Sequence, residues 1–593
     1  MARRRRILSI PESATRRLPP GLRTELDPVV ALGRRLVPRG SLRGVELTPP
    51  HALAAAVVLS ILLLATARVA DWPAALGGGL EVVLACSFVL LALTDFRLAV
   101  GVVVCELALG GAGGQWAILP GGISGRNFLL AVVIGWAGVT LAARFYRERR
   151  ISLGRYGLHA AALAAVMPAV WIPLGIANGF GPSDALADGN AVLFMGFALA
   201  LVLLVEQGSA AWLRSCLFVA CAINAAFLAL VVAGIETGIV SLAAANDALV
   251  GDLDLGGTIG RMADGTTRIY LGTGLYLQVG LALTTWRLMR RPRSGWLWLL
   301  FFVLWIGVVA SFTRGFWLGS IVAVVIVVLL GSATASTALR TLGLGFGVAG
   351  VALLVLLASG FLTTAALEER LGGVAGTFAD EERQATPFPP APQVRIGASG
   401  APSQPGLYVQ EGGPRAVPKR PPHAYRPSGA PALPNAFPGT LSISEASDSV
   451  RRHQATVLWR HVRERPLLGS GFGASAPEYR YSRGYTYELT YLSLLFKTGV
   501  LGTLLFLSLP LRLLFDAARG RMGRLDLAAG MPPQAAAVPI AIVGGLLLLG
   551  ATNPYLLAAF GLAPILLSIA WLEPGGLDLE RPNPKFPRQL GDR

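Results

Sequence analysis

Long apolar stretches alternate with short polar connections along almost the whole chain. They fall at 52–68, 74–93, 98–118, 127–143, 156–177, 190–205, 214–235, 269–286, 296–311, 315–331, 341–362, 488–511, 536–552 and 555–572. Each approaches the ~20 residues that an α-helix needs to cross ~30 Å of hydrocarbon. Backbone groups in lipid are satisfied only inside helices or closed barrels. The pattern therefore predicts an all-α polytopic membrane protein of about 14 transmembrane helices, in a range of 12–14. One interruption is much longer than the others: residues 363–487 separate helices 11 and 12. The expected order is a basic tail at 1–50, eleven helices within 51–362, the loop, three helices within 488–572, and a second tail at 573–593.

Charge gives this pattern an orientation. The net charge is +17, yet only 14% of residues are charged and mean hydropathy is +0.59. A nucleic-acid partner would need its basic residues on one water-facing surface. Here they form short clusters between apolar stretches, such as Arg144/Arg147/Arg149/Arg150, Arg287/Arg290/Arg291/Arg293 and Arg512/Arg519/Arg521/Arg524. Basic connections are retained in the cytoplasm. This puts both termini inside, implies contact with membrane lipids, and excludes nucleic acid. The connections 178–189 and 236–268, which carry Asp184, Asp188, Asp252 and Asp254, then fall on the opposite face together with the long loop. The N-terminal Arg3–Arg6 run is not followed directly by an apolar segment, so it reads as a tail and not as a signal peptide.

The long loop changes character along its length. Residues 377–440 hold fourteen of the 39 prolines and few large aliphatics, which predicts a disordered or polyproline-like spacer. Order is expected to return at 445–487, with an amphipathic helix over 446–464 that ends before Pro466. The four cysteines lie inside apolar stretches and read as packing residues. Glu81 and Glu106 fall mid-span, where an unpaired carboxylate is costly, so an arginine partner, a proton or a place lining a lipid groove is expected.

Three polar clusters stand at the outer membrane boundary. Arg314 lies in Ser311-Phe312-Thr313-Arg314-Gly315 between two apolar stretches, where its planar fork suits a phosphate or pyrophosphate; a snorkelling helix-end arginine fits the same pattern. Arg451 and Arg452 precede Glu464-Arg465-Pro466-Leu467-Leu468-Gly469-Ser470-Gly471-Phe472-Gly473, a glycine-rich turn whose N–H groups are able to address an anion. The third cluster contains Glu488, Tyr491, Gly499 and Gly502, where the chain re-enters the membrane. A partly desolvated carboxylate there is suited to general-base work; a carboxylate favoured by a helix N-terminus is the plain alternative. Arg261 and Arg268, at the outer end of span eight, are candidates for further phosphate contacts.

Together the SFTRG segment, the helix running into ERPLLGSGFG, and the Glu488–Gly499–Gly502 spacing resemble the O-antigen ligase and O-antigen (Wzy-type) polymerase superfamily. The resemblance covers about 296–331 and 445–502. It implies a metal-independent, cofactor-free, inverting transfer of glycan from an undecaprenyl-pyrophosphate-linked donor to a glycan or lipid acceptor, at the outer face of a bacterial inner membrane. It implies further that Arg314 and Arg452, with Arg451, hold the pyrophosphate and that Glu488 is the base, with Gly469, Gly471 and Tyr491 lining the donor site. Ligases of the family carry a histidine where this chain has Glu488, which tilts the expectation to polymerase. A ligase, or a transporter or flippase suggested by the many spans and by Glu81 and Glu106, is the alternative.

Overall fold

The computed structural model describes residues 49–368 and 443–573, apart from breaks at 71, 111–117, 120–122, 149–153, 254, 263–265, 366, 477–486, 524, 528–530 and 552, together with two-residue strands at 41–42 and 45–46. The expected tails and the proline-rich 377–440 segment lie outside the described residues. The described residues up to Leu367 and from Val450 onward form one compact unit, which contains all the sites discussed below.

Its helices are α1 Pro49–Val69, α2 Ala74–Thr94, α3 Phe96–Leu109, α4 Gly125–Glu148, α5 Gly154–Ala177, α6 Pro182–Leu193, α7 Phe197–Glu206 and α8 Ala210–Glu236. A hairpin of β1 Gly257–Arg261 and β2 Thr267–Leu271 follows, and then α9 Leu275–Arg290, α10 Gly295–Ala310, α11 Arg314–Gly331 and α12 Ala335–Ala358. The chain ends with α13 Ile443–Glu464, α14 Thr490–Arg521, α15 Ala537–Gly550 and α16 Ala559–Leu567.

Ten of the described helical segments are long and apolar enough to cross a membrane, and the shorter apolar stretches Gly295–Ala310 and Ala559–Leu572 accompany them. The expectation of about 14 meets shorter elements at two places. The stretch at 98–118 contains the 14-residue α3, nine of whose residues are buried by protein. The stretch at 269–286 starts as the strand β2 and becomes helical only at Leu275. Apolar residues there are covered by neighbouring elements, so hydropathy alone reads them as lipid-facing spans. At 178–189, where a polar connection was expected, α6 forms and continues through a short 3₁₀ turn into α7, making one apolar segment, Pro182–Glu206.

Glu106 on α3 has the arginine partner that its burial requires. Arg126 donates from Nε to both carboxylate oxygens at 3.0 and 2.9 Å and from a terminal nitrogen at 2.9 Å. Both side chains are buried, so the bidentate geometry offsets the desolvation of two charges.

The feature that organises the Glu488 end of the bundle is an interruption in α14. Gly499 has φ 63° and ψ −172°, which splits the helix into two. A break leaves carbonyls orphaned on one side and N–H groups orphaned on the other, and lipid supplies neither partner. The segment after α13 supplies both. Ser470 N and Gly471 N donate to Phe496 O and Lys497 O, while Val500 N and Leu501 N donate to Pro466 O and Leu467 O. Phe472 N reaches Trp171 O on α5, and Trp171 Nε1 and Asn178 Nδ2 donate to Leu468 O and Ser470 O. A Cβ on Gly499 would fall 2.2 Å from Leu467 O, and one on Gly471 would fall 2.1 Å from Gly175 N. Gly499→Ala should therefore lose most of its monodisperse, detergent-extracted yield, since the left-handed conformation alone costs a non-glycine residue about 1–3 kcal/mol. Gly343→Ala on α12, where a Cβ meets nothing within 4 Å, should extract normally. Equal yields by size-exclusion chromatography would overturn the assignment.

Candidate functional site

α13 ends at Glu464, just before Pro466, as its pattern predicts. Gln454, Leu458 and Val462 recur at helical spacing and are buried. Leu458 and Val462 cluster with Tyr487 and Phe496, at the start of α14. Gln454 Oε1 accepts from Leu489 N at 3.1 Å. One turn earlier on the same face, Arg451 Nε donates to Glu488 Oε2 at 2.8 Å. Arg452 is rotated by about 100° on the helix and is exposed. The sequence put Arg452 ahead of Arg451; the structure brings Arg451 to Glu488. Both members of the pair are about a third exposed, at 31% and 30%, so its value lies in geometry and not in stability.

The β hairpin contributes the next guanidinium. Thr267, Ile269 and Leu271 are buried while Arg268 and Tyr270 take the other face. Residues directly opposite in an antiparallel pair share a face, and Arg261 pairs with Thr267 whereas Arg268 pairs with Gly260. Arg261 and Arg268 therefore project from opposite faces, although both are outer-end arginines in the sequence. Arg268 makes long hydrogen bonds, each 3.4 Å, to Ser311 O and Thr313 Oγ1 of the SFTRG segment, and lies 5.1 Å from the centroid of the Tyr270 ring. Burial lowers its basicity, the nearby Arg451 acts in the same direction, and Tyr270, Tyr555 and Glu488 act against them. Arg268, Arg451 and Glu488 thus share one electrostatic neighbourhood.

The SFTRG segment is a strained corner between α10 and α11. Phe312 has φ 47°, unusual for a bulky residue. It is held there by burial and by edge contact with Trp317, ring centroids 5.6 Å apart. The corner delivers Arg314 as the first residue of α11, half-buried and next to the Thr313 that Arg268 touches. Beneath it, Phe316 stacks on Tyr555 at 5.6 Å and the Tyr555 and Tyr270 hydroxyls bond each other. Arg268 and Arg451 near Glu488, with Arg314 next in sequence to the Thr313 that Arg268 touches, put more guanidinium than carboxylate at this end of the helices, an arrangement suited to a multiply charged phosphate ester.

The glycine-rich turn has another task. Gly469 N donates to Arg465 O, Gly471 N to Lys497 O, and Gly473 N to Asp188 Oδ2. Expected to address a bound anion, these N–H groups are taken up within the protein: Gly471 closes the α14 break, Gly469 turns back on Arg465 and Gly473 meets the Asp188 carboxylate. The Tyr491 hydroxyl donates to Leu547 O of α15, which fixes the start of α14 against its neighbour. Sequence reasoning passed over the group that the turn closes on. Lys497 Nζ and Asp188 Oδ1 are 2.7 Å apart with side-chain exposures of 2% and 7%, and the Tyr487 ring lies 5.8 Å from the ammonium.

Fold and site together define a polytopic membrane protein with an arginine–carboxylate cluster at one end of its helices. Residues 299–507 match the O-antigen ligase family model, which bears out the resemblance carried by the motifs and supports a glycosyltransferase-like function of ligase or polymerase type. The match takes in Arg314, Arg451, Arg452 and Glu488, and leaves Asp188 and Arg268 outside it. No curated protein and no solved structure matches the chain.

Proposed function

We propose that the protein is a lipid-linked glycan polymerase: it transfers an oligosaccharide from an undecaprenyl-pyrophosphate donor to a hydroxyl of a glycan acceptor, with inversion and without a metal. The observation that carries this reading is the Arg451–Glu488 bond within the charge field of Arg268. The donor pyrophosphate competes with Glu488 for Arg451. As it binds, Arg451 turns to the phosphates beside Arg268 and Arg314, and the carboxylate is released toward the acceptor. The acceptor oxygen attacks the anomeric carbon, the carbon–oxygen bond to pyrophosphate breaks, and the acceptor proton passes to Glu488. The guanidinium groups stabilise the charge that grows on the departing pyrophosphate. Arg452, exposed on α13, is assigned to the outer sugar or phosphate approach.

The pleat of the hairpin supplies a discriminating test. Arg268→Ala should lower transfer by about 10²–10³-fold, the usual cost of removing one donor to developing charge, while Arg261→Ala on the other face should transfer normally. The measurement is glycan chain length made by the purified protein from lipid-linked repeat units. Equal losses in both variants, or none in Arg268→Ala, would remove Arg268 from the site. Glycan extended on lipid carrier supports polymerase, and glycan moved to a lipid-A-type acceptor alone supports ligase.

A further inference from the structure

A second polar cluster lies at the far end of the helices from Glu488. α11 starts at Arg314 and runs 18 residues, roughly 27 Å at the α-helical rise. At its far end α9 finishes at Arg290 and α12 begins at Ala335. A cleft of about 960 Å³ opens there. Arg291 and Arg293, from the α9–α10 turn, and Arg340, from the second turn of α12, line it. No carboxylate among the described residues forms an ion pair with any of the three.

Two further observations point to an anion with an apolar body. The first turns of α12 bring Ser336 and Thr341 to the cleft, and a helix N-terminus favours negative charge. Thr285 of α9 is 2% exposed, lines the same cleft, and its hydroxyl has no hydrogen-bond partner. A buried hydroxyl is ordinarily satisfied, and its place here is beside the basic rim. The remainder of the lining includes Trp298, Phe301 and Leu344. Free phosphate has no use for that surface; an acyl chain does.

We propose that this cleft binds an anionic phospholipid. Its phosphate sits among Arg291, Arg293 and Arg340, its headgroup oxygens meet the Thr285 and Ser336 hydroxyls, and an acyl chain lies along Trp298 and Phe301. Basic clefts between membrane helices recognise anionic headgroups in this way. Occupancy ties the α9–α10 turn to α12, and a ligand that binds only the folded state raises its stability. The site is independent of Glu488 and of the transfer reaction.

The test uses the full chain in neutral detergent, titrated separately with phosphatidylglycerol, phosphatidylcholine and inorganic phosphate. Native mass spectrometry reads the adduct, and thermal unfolding reads its effect. Phosphatidylglycerol should form a one-to-one adduct and raise the unfolding temperature, and the other two should do neither. R291Q/R293Q/R340Q should lose both effects. So should G345L, which leaves every arginine in place and fills the floor where a Cβ stands 3.7 Å from the Phe301 ring. An adduct unchanged in both variants overturns the assignment, as does a temperature shift reproduced by inorganic phosphate alone.

Discussion

Glu488→Gln should reduce glycan transfer by about 10²–10⁴-fold, the range over which a positioned general base contributes. The substitution is chosen because glutamine keeps an oxygen for Arg451 Nε to reach, so that the 2.8 Å contact and the packing of α13 on α14 survive. What it removes is the ability to take a proton. The loss should therefore fall on kcat with little change in donor KM. Arg451→Gln should do the reverse in part, raising donor KM because a phosphate ligand has gone. Polymer of ordinary length from a well-inserted Glu488→Gln variant would end the base assignment. Equal KM effects in the two variants would show that the carboxylate only tethers Arg451.

Breaking the pair buried beside the α14 interruption should have the largest effect on folding. Lys497→Met leaves the Asp188 carboxylate with only Gly473 N at 2.8 Å, and removing one partner of a buried pair typically costs about 3–5 kcal/mol. This loss falls on the element that also holds the segment Pro466–Phe472. Lys497→Met should fail to accumulate in membranes. Lys497→Met/Asp188→Leu should recover much of the yield, because the carboxylate that the single variant strands is gone. Fluorescence-detected size-exclusion of tagged variants distinguishes the cases. A single variant as abundant as the parent would mean that water reaches the pair.

The sequence made some of this readable, and physics explains the rest. α13 was legible because an amphipathic pattern and Pro466 are both local. Arg451 and Arg452 were legible as a cluster, but the choice between them depends on the buried face set by Gln454, Leu458 and Val462, and that face exists only against Tyr487 and Phe496. The Asp188–Lys497 pair joins residues 309 positions apart. Asp188 reads as part of an outer connection and Lys497 as one residue of a membrane re-entry; neither suggests the other. The glycines looked like an anion-binding nest because a turn rich in N–H groups has the same composition whether it serves a ligand or a broken helix. Span number suffered from a similar ambiguity, since α3 is apolar through burial in protein and β2 through pairing in a hairpin.

The interruption in α14 has a consequence for the order in which the molecule is made. Its caps come from Pro466–Gly471, which leave the ribosome before α14 does, and those residues are themselves seated on Trp171 and Asn178, synthesised earlier still. Each partner is thus in the membrane before the group that needs it. The helix need never exist with its break unsatisfied, provided that assembly keeps pace with synthesis.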